Sequence, residues 1–216
     1  MTVNLKRLAG WALIVGTIVA AFGYLAANLL APGSGDEAFR YHLWPLFERI
    51  AVGGNVIIAL GLPVILTFAG RAPKLHVVGY AGVFAAFVML NIGEGVIEGF
   101  VKPYLVDHGG IPTEQPSGFA VFEGVALLCL LVGAICLGIA VLRARTLPWW
   151  IGVALFVSCL LGALGLPGRW FILPDDVFFA ALFAIGVHAV RGRSEVATAS
   201  VVESAAVRPG STDGGG

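Results

Sequence analysis

Asn91, Glu94, Glu98 and Lys102 recur every three or four residues in the segment Asn91-Ile-Gly-Glu94-Gly-Val-Ile-Glu98-Gly-Phe-Val-Lys102. On a helix that spacing puts them on one face. Two carboxyl groups one turn apart in an apolar surround resist double ionisation, so one can hold a proton and serve as a general acid. Both ionised, they would instead bind a cation, organic or metallic. Asn91 and Asn55 are neutral orienting partners. Glu123 lies one turn into the next long apolar stretch, and Asp175, beside Asp176, opens the last one. The candidate binding residues are therefore Asn55, Asn91, Glu94, Glu98, Glu123 and Asp175; no catalytic residue is assigned. The plain alternative is interfacial charge with local pairing, such as Glu98 with Lys102.

A helix rises ~1.5 Å per residue against an apolar membrane core of ~30 Å. Counting from Val77 sets Glu94 ~26 Å along, just inside the far boundary, and Glu98 at it. These are shallow carboxylates, with Glu94 the deepest. Their insertion cost falls below the ~2.5–3.5 kcal/mol of a central charge.

A membrane is required by composition. Of 216 residues, 58% are hydrophobic and 12% charged, and the mean hydropathy is +0.93. The charged share is about half the ~25% of a soluble domain. A soluble enzyme and a disordered chain are excluded. The net charge of zero offers no basic surface to a nucleic acid. The partner is the lipid bilayer.

Six stretches are apolar enough to cross it: Leu8 to Leu30, Pro45 to Ala69, His76 to Phe100, Phe119 to Leu142, Trp149 to Leu166, and Pro174 to Val190. Pro45, Pro148 and Pro174 stand at first helical turns, where a missing N–H costs nothing. Ser117 is placed to cap the fourth helix. Pro63 falls inside the second and should kink it, freeing the Ala59 carbonyl. The first stretch follows Lys6 and Arg7 like a signal peptide, but its apolar run of 23 residues is too long for one that is cleaved.

Basic residues set the orientation. Lys6, Arg7, Arg71, Lys74, Arg143, Arg145, Arg191, Arg193 and Arg208 fall on one side; Arg40, Arg49, Lys102 and Arg169 fall on the other, nine against four. The expected fold is an all-α polytopic membrane bundle of six transmembrane helices with both termini cytoplasmic. Residues 1–191 form the bundle. Residues 192–216, rich in Gly, Ser, Ala and Val, form a disordered cytoplasmic tail. Ten of the acidic residues collect on or near the outer side: Asp36, Glu37, Glu48, Glu94, Glu98, Asp107, Glu114, Glu123, Asp175 and Asp176.

Gly95 and Gly99 make a small-xxx-small face, answered on the fourth helix by Ala120 and Gly124. Such faces let backbones approach closely, so these two helices are expected to meet there. Cys129, Cys136 and Cys159 have no metal or haem-attachment spacing. His76 and His188 lie near cytoplasmic helix ends and could ligate a haem, but both can equally be solvated there. No cofactor and no metal site is expected. There is no Walker loop, HExxH, GxSxG, voltage-sensing helix or mid-span lysine.

Leu8-Ala-Gly-Trp-Ala-Leu-Ile-Val-Gly16 after Lys6-Arg7, and Leu142-Arg-Ala-Arg-Thr-Leu-Pro-Trp-Trp-Ile-Gly152, resemble small bacterial multi-pass membrane proteins of unknown function. The resemblance implies a six-helix bundle in a bacterial inner membrane and says nothing of substrate. The chain is also similar, more distantly, to membrane-embedded terpene cyclases, which protonate a bound polyene with acidic residues but commonly have seven helices. Three functions follow as expectations: a protein that binds or carries a small molecule or cation in an outer-facing acidic pocket, a membrane enzyme using a glutamate as acid, or an accessory subunit. Oligomeric state is not encoded legibly.

Overall fold

The computed structural model describes residues 2–31, 36–110, 117–164 and 173–191. The tail 192–216, Arg169 and Trp170 lie outside the described residues, as does the end of the expected fifth span. Among the described residues there are helices and no strands. They are α1 (Val3–Leu30), the short α2 (Asp36–Phe39), α3 (Trp44–Gly61), α4 (Pro73–Phe87), α5 (Lys102–Asp107), α6 (Ser117–Ala144), α7 (Trp149–Ala163) and α8 (Leu173–Arg191).

Two helices change pitch. After α3 the chain tightens into a 3-10 helix, Leu62–Phe68, at the expected kink position Pro63. After α4 it widens into two π-helical runs, Val88–Glu94 and Ile97–Val101, before α5. Val3–Leu30, Trp44–Phe68, Pro73–Asp107 and Gly118–Ala144 are long and apolar enough to cross a membrane, and Trp149–Gly162 is a shorter apolar helix. α6 begins at Ser117, the position expected for its cap.

Unlike a water-soluble bundle, the helices carry large apolar side chains on their outer faces as well as in the core. On α1 the buried face is Ala9, Leu13, Gly16, Ala20, Gly23 and Ala27, while Leu8, Trp11, Val15, Ile18 and Phe22 point outward. Large side chains outside and small ones at the helix contacts suit an apolar solvent, in which close backbone approach drives association. This points to a membrane protein.

The buried face of α1 repeats at alternating intervals of four and three, and α3 repeats the same way at Phe47, Ala51, Gly54, Ile58 and Gly61. A period of 3.5 keeps one seam facing its partner. The two helices run antiparallel. A methyl group at Gly61 would stand 2.7 Å from the Ala9 oxygen, one at Gly16 would stand 2.7 Å from the Ile58 nitrogen, and one at Gly23 would stand 2.6 Å from the Ala51 nitrogen. On its other side α1 meets α8, where a methyl at Gly10 would lie 2.9 Å from the Ala189 side chain.

The expected contact between Gly95/Gly99 and Ala120/Gly124 is not formed. Gly95 packs on Val52 and Gly99 on Glu48, both of α3, while Gly124 faces open space. α4 and α6 meet nearer their other ends, where Gly79 packs on Leu137 and Gly82 on Gly133. The closest approach is set by whichever small residues oppose each other, and Gly82 opposite Gly133 is a closer match than Gly95 opposite a helix end.

Candidate functional site

α1, α3 and the π-helical runs come together at the end of the bundle that carries Leu30, Trp44 and Lys102. The π pitch explains how they are joined. In an α-helix the N–H of residue 95 would take the Asn91 carbonyl and the N–H of residue 102 would take that of Glu98. Here the Gly95 N–H donates to Ile92 and the Lys102 N–H donates to Ile97. Residue 103 is proline and has no N–H to offer. The Glu98 carbonyl is thus left open to another helix, and the Asn91 carbonyl has lost its α-helical donor.

α3 and α1 supply the donors. Asn55 Nδ2 donates to the Asn91 oxygen at 3.0 Å and to the Tyr24 hydroxyl oxygen at 2.8 Å. Tyr24 in turn donates to the Asn91 oxygen at 3.4 Å. Trp44 Nε1 donates to the Glu98 oxygen at 3.3 Å. Tyr24 is also stacked on Phe179 of α8, with ring centroids 6.0 Å apart. These contacts tie α1, α3, α8 and the π-helical runs at two levels, Asn55 with Asn91 and Trp44 with Glu98.

Glu48 lies between the two donors, one turn from Trp44. Its Cβ would be 3.0 Å from a methyl at Gly99, so the absence of a side chain at 99 lets the two backbones close over it. Glu48 is 1% exposed, and its Oε2 has no hydrogen-bond partner. Asn55 is fully buried, and its Oδ1 likewise lacks a partner. Glu98, Lys102 and Glu94 are the charged groups close enough to act on Glu48.

The sequence-derived candidates separate here. Asn55 and Asn91 are joined directly. Glu94, half-buried, feels Glu98, Lys102, Glu123 and Asp175, so the acidic groups do share one end of the bundle. Glu98 forms an ion pair with Lys102, Nζ to Oε1 at 2.9 Å. Glu123 is half-buried and Asp175 exposed, with no hydrogen bond to the Asn55 network. Glu94 is not the most enclosed carboxylate, because Glu48 on the facing helix is covered by Gly99 and the π segment. Depth along one helix does not set burial, which depends on what a neighbouring helix covers.

Glu48 was legible only as one of ten outer acids. A signal existed: it falls beside Phe47 and Ala51 on the buried face of α3, one turn from Trp44. His76 also departs from expectation. It is fully buried with both ring nitrogens unpartnered rather than solvated, while His188 is half-buried.

No protein-family model, curated protein or solved structure matches this chain.

Proposed function

We propose that this chain is a six-span protein of a bacterial inner membrane, with both termini cytoplasmic, that takes up a proton or a small monovalent cation at an acidic site near its outer end. Glu48 is the centre of the site. Glu94 and Glu98 supply further negative charge, and Asn55 and Asn91 orient the polar network beside it.

The observation that carries this reading is the buried Glu48 carboxyl with an unpartnered oxygen. A carboxylate cannot remain ionised and unpaired in an apolar interior, where isolated charge costs several kcal/mol or more. It must be neutralised by a proton or by a bound cation. Ionisable groups buried inside membrane proteins mark ion and proton sites by default. The excess of basic residues at the opposite end supports the orientation.

Infrared difference spectroscopy of the full chain in lipid nanodiscs tests the reading. Spectra are taken on changing pH and on exchanging sodium for a large impermeant cation. A carboxyl or carboxylate band that responds and is removed by Glu48→Gln is expected. A response identical in the parent and in Glu48→Gln would overturn the assignment. Glu94→Gln should shift the band without removing it, because Glu94 acts on Glu48 only through space.

A further inference from the structure

Lys102 touches more than its local ion-pair partner. Its ammonium lies 2.9 Å from Glu98 Oε1 and 5.0 Å from the centroid of the Phe39 ring, which belongs to a different element. Phe39 is held by the edge of Trp44, with centroids 5.2 Å apart and rings at 89°. Trp44 is fixed in turn by its bond to the Glu98 carbonyl. A carboxylate and an aromatic face, each positioned by the same indole, form a cradle for an organic cation.

The charge at this place is not balanced. Glu98 pairs with Lys102, and Glu94 and the buried Glu48 lie within electrostatic reach of the same lysine. Arg49, next to Glu48 on α3, is turned onto the Phe100 ring at 4.5 Å. Among the described residues no group of three or more His, Cys, Asp or Glu converges closely enough to hold a metal ion. The Glu98 and Lys102 side chains are each 27% exposed, so the seat is open to solutes.

We infer that the Glu98–Phe39 cradle, backed by Glu48, is a binding site for a primary alkylammonium compound, and that Lys102 occupies it as a tethered competitor. The lysine head has the chemistry of the ligand, a hydrated ammonium on an apolar stem. An incoming amine displaces it, and the displaced Lys102 swings to solvent on its flexible chain. The inference rests on the acidic-site reading and names the class of cation.

Calorimetric titration of butylammonium chloride into the full chain in nanodiscs, at constant ionic strength, tests it. Weak saturable binding to the parent is expected. Lys102→Ala should bind at least tenfold tighter, since the competitor is gone. Lys102→Met, which keeps the stem and its packing, should show the same gain if the alanine variant folds poorly. Adding Glu98→Gln to either background should abolish binding, and Phe39→Leu should weaken it. Absence of saturable binding to the parent, no gain in both lysine variants, or a gain that survives Glu98→Gln overturns the inference. A Glu48-dependent infrared response to protons or sodium, without butylammonium binding, overturns the alkylammonium site and leaves the acidic-site reading standing. Loss of the Glu48-dependent response overturns both.

Discussion

The indole of Trp44 donates to the main-chain carbonyl of Glu98 at 3.3 Å, and Pro103 accounts for that carbonyl being free. With π pitch the Lys102 N–H turns back to Ile97, and the next residue has no N–H at all. An unpaired carbonyl in an apolar surround is costly, so a donor from another helix is required. Trp44 therefore fixes α3 against the π segment and places Glu48, one turn along, beneath Gly99.

Trp44→Phe keeps the ring and removes the donor. It should destabilise the protein by about 1–3 kcal/mol, the cost of a buried polar group left unsatisfied. Pro103→Ala restores an N–H near the orphaned carbonyl, so the double variant should recover part of the loss. Thermal melting of the four proteins in detergent gives the coupling. Strict additivity would show that Pro103 has no part in freeing the Glu98 oxygen.

Asn55 makes the two shorter contacts of the second tie, to Asn91 at 3.0 Å and to Tyr24 at 2.8 Å. Asn55→Ala should lower the melting temperature more than Tyr24→Phe. The phenylalanine keeps the stack on Phe179 and forfeits the hydroxyl's two hydrogen bonds, the one to Asn91 long at 3.4 Å, each worth at most about 0.5–1.5 kcal/mol. Amide hydrogen exchange near residues 91–96 should accelerate in Asn55→Ala. Equal effects of the two changes would place the tie elsewhere.

The glycines divide by what a side chain would strike. Gly16→Leu and Gly23→Leu meet α3 backbone and should cost at or above the ~1–3 kcal/mol of an overpacked core. Gly95→Leu meets the end of the Val52 side chain, which can turn away, and should be milder. Gly124→Leu faces open space and should be neutral. Gly138 is no neutral control, because a methyl there would lie 2.8 Å from the Phe156 ring. Melting temperatures that put Gly124→Leu with Gly23→Leu would refute the α1–α3 seam.

Orientation is read directly by reporter fusions. Those after Gly70 and Leu142 should report cytoplasmic, and one near Gly109 external, because the basic residues crowd the first side. An external report at Leu142 would remove the six-span arrangement.

By itself the sequence determined the solvent and the helices. An apolar share of 58% points to a membrane, and the long apolar stretches recur as α1, α3, α4 with its π extension, and α6. It also placed Asn55, Asn91, Glu94 and Glu98 at one end, because a 1.5 Å rise per residue is local geometry. Tertiary structure alone decided which faces meet. Gly95 and Gly99 carry a contact signal without an address, and the address proved to be Val52 and Glu48 rather than Gly124. The 3.5-residue repeat of α1 and α3 was present in the chain, but small residues read as ordinary helix formers until opposed in space. The π pitch was not legible, because the donors that reach the Glu98 and Asn91 carbonyls, Trp44 and Asn55, come from another helix. Burial of Glu48 follows from that same closure: exposure of a side chain is a property of the neighbour that covers it, and no neighbour is written in the residue itself.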